Sequence, residues 1–200
     1  MPQAVPTLNF APELLLRAQG VKVAFFDVDG VLTDGGLYFS EYPQGHELAL
    51  PAGAYRAAGE IIKRFNTLDG HGLKLLQRAG ITPVVITGRD SHVLRARLQA
   101  LGVTHAYFGT EDKRPAAELA LRALGLDWTA AAAMGDDWPD LPVMSRVALS
   151  CAPSNAHAEV LAQAHHVTRV PGGHGAAREF CDLLLIAGGR YGEFLQEYRQ

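Results

Sequence analysis

Short apolar runs alternate with longer segments of helical spacing along this chain. The runs predicted to be strands are VKVAFF, TPVVIT, HAYFG, TAAAAM, VALSCA and HHVTRV. Between them, DSHVLRARLQALG and DKRPAAELALRALG carry apolar residues at helical spacing; we expect Asp90 to cap the start of the first, and Gly102 and Gly125 to end the two helices. This alternation predicts an α/β fold: a doubly wound, mainly parallel sheet with helices on both faces.

One region breaks the alternation. Residues 40–59, SEYPQGHELALPAGAYRAAG, mix prolines, glycines and polar residues, which predicts an extended loop or β-hairpin flap after the first strand. A last helix, AAREFCDLLLIAGG, is expected to lead into a short polar C-terminal tail over 187–200. We expect a single domain over 1–200.

Composition narrows the class of protein. With 200 residues and 48% hydrophobic composition, the chain can bury the core of one domain. The net charge of -3 and the scattered arginines favour neither nucleic acid nor a membrane surface as partner, whereas a small anionic substrate remains open. Two cysteines, Cys151 and Cys181, are too few for a disulfide framework and suit a reducing cytoplasm. No apolar run approaches the ~20 residues of a membrane span, so we expect a soluble, unexported protein.

The first predicted strand ends in two acids, in VAFFDVDGVLTDGG. Residues two apart in a strand project to the same side, so Asp27 and Asp29 can face one point at the carboxyl end of the strand. Open α/β sheets bind ligands at that edge. The alternative is structural, because aspartates also form Asx-turns or helix caps before a glycine such as Gly30.

Three further features at predicted strand ends favour chemistry. Thr87 closes VVITGR, Lys113 opens a helix after FGTED, and Asp136 and Asp137 follow an apolar run in MGDDWPD. Each alone could be a strand end, a surface charge or a turn. Together they supply a nucleophile, an acid or base, a hydroxyl and an ammonium, as phosphoryl transfer requires, and clustered carboxylates need a cation such as Mg²⁺ beside them.

These motifs resemble the haloacid dehalogenase-like phosphatases. DVDGVLTD matches the first motif of the superfamily, and Thr87, Lys113 and GDDWPD match the others in order. The resemblance implies that Asp27 attacks phosphorus and forms an aspartyl-phosphate, while Asp29 protonates the leaving alcohol and then activates water. Thr87 and Lys113 would hold the phosphoryl oxygens.

The resemblance also implies a magnesium site. Mg²⁺ would be bound by the Asp27 carboxylate, the Asp29 main-chain carbonyl and Asp136. Asp137 and Asp140 would contact these ligands without binding the ion themselves.

The motif spacing leaves no room for a separate cap domain, so the resemblance is to capless members, which often close the site with a neighbouring subunit; it implies a homotetramer. Compared with such members, residues 41–58 form an insertion in the flap loop. A harmless extension is one interpretation, and a partial lid or subunit contact is the other.

Longer stretches resemble the 3-deoxy-D-manno-octulosonate 8-phosphate phosphatases of lipopolysaccharide sugar synthesis. Examples are GEIIKRFNTLDGHGLKLL and GGHGAAREFCDLLL. The resemblance implies that the substrate is held, together with Lys113, by Asn66, Asp69, Gly88, Arg89, Arg97 and Arg178. Asn66 and Asp69 would contact the sugar, and Arg178 would reach a neighbouring subunit's site. Arg89 and Arg97, eight residues apart, are expected on one helix face, where both could bind anionic groups.

Two positions depart from that family. Leu68 replaces an arginine, and His174 in GGHG replaces a permanent cation with a titrating one. The substrate could therefore be another sugar-acid phosphate, such as a nine-carbon sialic-type acid. A phosphate-responsive signalling module and a noncatalytic scaffold are the alternatives outside enzymes.

Overall fold

The computed structural model describes residues 8–39 and 60–200, and their centre is a parallel sheet. The strands are β1 Val23–Phe26, β2 Tyr38–Phe39, β3 Glu60–Ile62, β4 Thr82–Ile86, β5 His105–Tyr107, β6 Ala131–Met134, β7 Leu149–Ala152 and β8 His166–Val167. Six of them form one sheet in the order β5-β4-β1-β6-β7-β8, and every neighbouring pair is parallel. Each strand therefore ends at the same edge as its neighbours, as the predicted fold class requires.

Helices cover both faces of this sheet. They are α1 Pro12–Ala18, α2 Thr67–Arg78, α3 His92–Leu101, α4 Lys113–Leu124, α5 Leu141–Met144, α6 Ala158–Gln163, α7 Ala176–Ala187 and α8 Tyr191–Glu197. Helices α1, α2, α3 and α7 share one hydrophobic cluster, and α4, α5 and α6 share the other. Within the described ranges, no helix has the length and apolar character needed to cross a membrane.

Alternation along the strands divides the two clusters. In β1, Ala24 and Phe26 face the α7 side, while Val23 and Phe25 face the α4 side. The alanine-rich run predicted as a strand is confirmed as β6, and all four of its residues are buried. A central strand with helices on both faces can use small side chains because burial, not intrinsic strand preference, decides its conformation.

Helix ends were predicted in part. Gly102 and Gly125 both take the left-handed conformation and end α3 and α4. The cap predicted at Asp90 is wrong, because Ser91 Oγ accepts the bond from the Leu94 N–H at 3.3 Å. Asp90 instead receives two bonds of 2.7 Å from the guanidinium of Arg95.

The predicted hairpin after the first strand is present as an antiparallel pair. Strand β2 pairs with β3 through Tyr38 and Ile62, with an irregularity in the register. The connection between them, including the insertion predicted at 41–58, lies outside the described residues.

The polar tail predicted over 187–200 is wrong for most of its length. Residues 191–197 form α8, and Phe194 is only 4% exposed. The guanidinium of Arg78 on α2 stacks over its ring at 4.5 Å from the centroid. Apolar residues at Tyr191, Phe194 and Leu195 have helical spacing, a signal hidden by the charged residues around them.

Replacing Phe194 tests this docking of α8. Phe194→Ala is expected to lower the free energy of unfolding by about 3 kcal/mol, because a buried ring is lost from the core. Urea unfolding measures it, with Leu16→Ala, at a side chain 66% exposed on α1, as the control that changes little. Equal effects of the two substitutions would contradict a packed α8.

Candidate active site

The turn after β1 is fixed by one hydroxyl group. Thr33 Oγ1 donates to the carbonyl of Val28 at 3.2 Å and accepts from the N–H groups of Gly30 and Gly35 at 3.4 and 3.3 Å. The Asp27 N–H continues the sheet by donating to the Met134 carbonyl of β6 at 3.1 Å. The carboxyl ends of β1 and β6 are thus held side by side.

Lys113 links the predicted nucleophile to a second acid. Its ammonium donates to Asp27 Oδ1 at 2.5 Å and to Asp140 Oδ1 at 2.7 Å, and all three side chains are buried. Lys113 is the first residue of α4, where the sequence predicted the start of a helix. A buried ammonium between two carboxylates is the arrangement in which such charges are tolerated in a protein interior.

Three carboxylates converge beside this lysine. One ligand oxygen from each of Asp27, Asp136 and Asp140 lies within 4.8 Å of the others. The structure thus places Asp140 inside the acidic cluster itself, whereas the sequence predicted it behind the ligands. Its spacing, three residues after Asp137, returns it to the cluster through a 3-10 turn over Trp138–Asp140.

Asp140 also shapes the loop that carries its neighbours. Its Oδ2 accepts from the N–H groups of Asp136 and Asp137, at 3.0 and 3.3 Å. The Asp137 side chain is exposed and accepts from the Trp138 N–H at 2.8 Å, which caps the turn. Asp137 therefore shapes the loop as a cap, and its negative charge adds to the rise in the pKa of Asp136.

Glycines let the loops approach the acids closely. Gly30 has a φ of 95°, and a Cβ there would lie 2.0 Å from Asp136 Oδ2. A Cβ on Gly172, in the loop before α7, would lie 1.7 Å from the Gly30 carbonyl oxygen. Any side chain at either position would displace the acidic loop or the turn after β1.

The crowding changes the protonation of the acids. Burial, together with the charge of Asp140, raises the pKa of Asp27 to about 7 although Lys113 opposes the shift. Burial and the charge of Asp27 raise the pKa of Asp136 to about 8. Burial lowers the pKa of Lys113, but the facing carboxylates outweigh it, so the lysine stays charged. The excess of negative charge is what a bound cation would relieve.

The cluster fits a magnesium ion. Carboxylate oxygens are the hard ligands that Mg²⁺ prefers, and three of them converge here at the carboxyl edge of the parallel sheet. The magnesium ligands predicted from the sequence included Asp27 and Asp136, which the structure brings together. The Asp29 main-chain carbonyl, predicted as a third ligand, stays a prediction.

Two cations lie against the second predicted catalytic acid. Asp29 forms a short ion pair with Lys63, and Arg89 Nε lies 3.6 Å from Asp29 Oδ2. Lys63 is buried and directly follows β3, so the flap strands bring it to the site. Lys63 was not predicted, because a single lysine after a strand has no periodicity or motif partner that distinguishes it.

Thr87 lies at the same sheet edge. It is 1% exposed and follows β4, which is the neighbour of β1. Its Oγ1 accepts from the Arg89 N–H at 3.2 Å, so the hydroxyl also fixes the turn through Gly88. The described geometry agrees with the position predicted for Thr87, and its contact with phosphate stays a prediction.

Asn66 and Asp69, predicted to contact sugar, hold helices in the described structure. Asn66 caps α2 by accepting from the Leu68 N–H at 2.8 Å. Asp69 is 2% exposed and accepts from the N–H groups of Gly175 and Arg178, at 3.2 and 2.8 Å. In the described structure Asp69 anchors the start of α7, and the sugar contacts predicted for Asn66 and Asp69 stay predictions.

The predicted arginines are separated. Arg89 precedes α3, which begins at His92, so the prediction that Arg89 and Arg97 share a helix face is wrong. Arg97 donates to the Asn66 carbonyl at 3.3 Å. Arg178 pairs with Asp182 on its own helix at 2.8 Å. Only Arg89 has a contact with a predicted catalytic acid.

The two positions that depart from the family pattern lie near the same loops. Leu68 is 54% exposed at the start of α2. His174 Nε2 lies 3.1 Å from Arg64 Nη1, and the same nitrogen of Arg64 lies 3.3 Å from Asp34 Oδ2. Arg64 thus places a permanent positive charge beside the histidine.

This chain is similar in sequence to known phosphatases. Residues 109–180 match the family described as haloacid dehalogenase-like hydrolase. A Yersinia pestis protein named 3-deoxy-D-manno-octulosonate 8-phosphate phosphatase KdsC is 40% identical over 177 residues, which are 88% of this chain and 86% of the relative. The chain belongs to the 3-deoxy-D-manno-octulosonate 8-phosphate phosphatase family.

Solved structures of related proteins have the same fold. A probable YrbI family phosphatase from Pseudomonas syringae matches with a TM-score of 0.85 at 42% identity, covering 95% of this chain and 99% of that one. The Moraxella catarrhalis 3-deoxy-D-manno-octulosonate 8-phosphate phosphatase, solved with magnesium, phosphate and the sugar acid, matches with a TM-score of 0.82 at 30% identity, covering 93% and 98%. The predicted haloacid dehalogenase-like fold and the assignment to phosphoric monoester hydrolases are confirmed.

Because the pKa values of Asp27 and Asp136 are raised, we expect the stability of the protein to depend on pH. A carboxyl whose pKa is higher in the folded than in the unfolded protein costs stability as it ionises. Metal-free protein is therefore expected to lose stability as pH rises from about 4 to about 8, the range between the ordinary value of 3.8 and the raised values of Asp27 and Asp136. Mg²⁺ should restore the stability at the upper end, and thermal unfolding over pH measures both effects.

Removing one charge isolates the cause. Asp136→Asn is expected to raise the midpoint temperature of metal-free protein at pH 8 and to abolish most of the rise given by Mg²⁺. Asp127→Asn, the same substitution at an exposed cap near the opposite end of β6, should leave both unchanged. A lower midpoint for metal-free Asp136→Asn would contradict repulsion within the cluster.

Proposed function

We propose that this protein is a Mg²⁺-dependent phosphatase that hydrolyses 3-deoxy-D-manno-octulosonate 8-phosphate to the free sugar acid and inorganic phosphate. The observation that carries the proposal is the buried ammonium of Lys113 bridging Asp27 and Asp140, with Asp136 completing the acidic cluster. Relatives named for this activity support the choice of substrate.

Asp27 is the nucleophile in this proposal. Its carboxylate oxygen attacks phosphorus, the bond from phosphorus to the sugar oxygen breaks, and an aspartyl-phosphate forms. Lys113 contacts Asp27 directly, so its charge lies where negative charge increases on the transferring group. Thr87, at the end of the neighbouring strand, donates its hydroxyl to a phosphoryl oxygen.

Asp29 moves the proton. It gives a proton to the departing sugar oxygen and then takes one from the water that hydrolyses the aspartyl-phosphate. Lys63 and Arg89 hold its carboxyl group from two sides, which fixes its orientation beside the turn after β1. Arg89, which is partly exposed, is also the cation best placed to meet an entering phosphate.

The cation belongs to the acidic cluster. Asp27, Asp136 and Asp140 would hold Mg²⁺, which when bound neutralises the carboxylates and attracts charge from the phosphoryl oxygens. Without that neutralisation, the raised pKa of Asp27, about 7, would leave a large share of its carboxyl groups protonated near neutral pH, and the protonated form is a poor nucleophile.

Assembly and cellular role extend the proposal. We propose a homotetramer of single-domain, capless subunits in which a neighbouring subunit closes the site, acting in the cytoplasm in lipopolysaccharide sugar synthesis. Arg178 would have to leave Asp182 to reach a neighbouring site.

The two positions that depart from the family pattern, Leu68 and His174, leave a second candidate substrate. Leu68 offers an exposed apolar side chain where the family has arginine, and His174 lies beside Arg64 in place of a permanent cation of its own. These changes support an altered substrate preference, and a capless phosphatase for a nine-carbon sialic-type sugar-acid phosphate is the alternative.

A substrate panel tests both readings together with the nucleophile. Purified protein with Mg²⁺ is expected to release phosphate from 3-deoxy-D-manno-octulosonate 8-phosphate with a higher kcat/KM than from sialic-type 9-phosphates. The reverse order would select the alternative.

Asp27→Asn should reduce phosphate release by at least about a thousandfold, because a neutral amide replaces the attacking carboxylate. The exposed Asp127→Asn, which removes a carboxylate far from the cluster, is the matched control and should keep full activity. Activity of Asp27→Asn near that of the control would rule out the aspartyl-phosphate.

A further inference from the structure

Trp138, in the middle of GDDWPD, has no role in the chemistry described above. Its side chain is 59% exposed, which is unusual for tryptophan, yet it is held in place. The indole N–H donates to His157 Nδ1 at 3.0 Å, and the two rings meet edge to face at 5.3 Å between centroids. A large apolar side chain is thus held at the surface of the loop that carries the acids.

His157 contacts the acidic loop a second time through its main chain. Its N–H donates to the Asp136 carbonyl at 2.8 Å. The loop and His157 therefore form a closed ring of contacts: the main chain runs from Asp136 to Trp138, the indole bonds to the imidazole, and the histidine main chain bonds back to Asp136. A ring of this kind restricts the main-chain torsions of the loop.

The bonds determine the tautomer of the imidazole. His157 Nδ1 accepts from the Trp138 indole and from the Glu159 N–H, the latter at 3.2 Å. An atom that accepts from two N–H groups carries no hydrogen, so the hydrogen of the neutral ring lies on Nε2. The residue needed at this position is one with an acceptor at the place of Nδ1.

The acidic loop needs such restraint because its carboxylates repel one another. The Asp136 main chain is held on one side by Asp140, which accepts its N–H at 3.0 Å, and on the other by His157, which donates to its carbonyl. The first restraint comes from a member of the repelling cluster. The second comes from outside the cluster and carries no charge.

We propose that Trp138 and His157 are positioning residues for the magnesium site: their contacts hold the Asp136 main chain so that its carboxylate faces Asp27 and Asp140 before the ion binds. The proposal rests on the proposed use of Mg²⁺. Neither residue is among the three acids that converge at the candidate magnesium site. Their effect is on the affinity for Mg²⁺, because a preorganised set of ligands needs less ordering on binding.

Two substitutions remove the link. Trp138→Phe keeps an aromatic ring and removes the N–H donor, and His157→Ala removes the acceptor. Each is expected to weaken Mg²⁺ binding roughly tenfold, as loss of a partner behind metal ligands commonly does. The dissociation constant is obtained from the rise of the midpoint temperature with Mg²⁺ concentration, and from the Mg²⁺ dependence of phosphatase activity.

A rescue variant separates positioning from simple loss of structure. Asn has a side-chain oxygen near the place of Nδ1 and is a good helix cap, so His157→Asn is expected to stay within about twofold of the wild-type Mg²⁺ affinity. Trp128→Phe makes the same tryptophan substitution before β6, at the amino end of the strand that leads to the acids, and should leave the affinity unchanged. At saturating Mg²⁺, KM for the sugar phosphate is expected to be equal in all variants.

The indole N–H signal reports the bond directly. In the Trp128→Phe background, Trp138 gives a single indole resonance by NMR, and it should shift in His157→Ala and return toward its wild-type position in His157→Asn. Wild-type affinity for Mg²⁺ in both Trp138→Phe and His157→Ala would overturn the positioning role while leaving the proposed function intact. A wild-type protein that binds no Mg²⁺ would overturn both.

Discussion

The repulsion among Asp27, Asp136 and Asp140 is the constraint on which the rest of the site depends. Three carboxylates within 4.8 Å, two of them buried, are stable only with positive charge between them. Lys113 supplies part of that charge, and it can do so because α4 begins directly above the edge where β1 ends. The remaining excess defines a place for a divalent cation, so the same crowding that costs stability in the metal-free protein provides the affinity for metal.

Close packing of main chains makes this crowding possible. Gly30 and Gly172 have no room for a side chain, because Asp136 and the turn after β1 occupy the space. Asp69 adds a second attachment by accepting N–H groups at the start of α7, which keeps the glycine-rich loop against that turn. The site is therefore built from main-chain contacts between loops that are far apart in sequence, and polar residues near it, such as Asp69, support those contacts.

Periodicity predicted most of the fold, and motif order predicted candidate site residues that the structure brings together. Alternating apolar runs predicted the parallel sheet, including the alanine-rich β6, because burial on both faces leaves the same signature whatever the size of the side chain. Asp27, Asp136 and Lys113 were found because each follows a strand or opens a helix, and a parallel sheet brings those positions to one edge. The helix α8 was missed because one buried phenylalanine in a charged segment is a weak signal.

The sequence by itself determined which chemical groups lie at the carboxyl edge of the sheet. Strands that alternate with helices along the chain form a parallel sheet, and all strands of such a sheet end at the same edge. Only the tertiary structure decided which of those groups touch. Asp140 joined the cluster through a 3-10 turn, Lys63 arrived from the flap strands to pair with Asp29, and Asp69 turned inward to hold α7. The physical reason is that side-chain contacts between distant segments depend on packing distances of a few ångströms, and local sequence patterns carry no record of those distances.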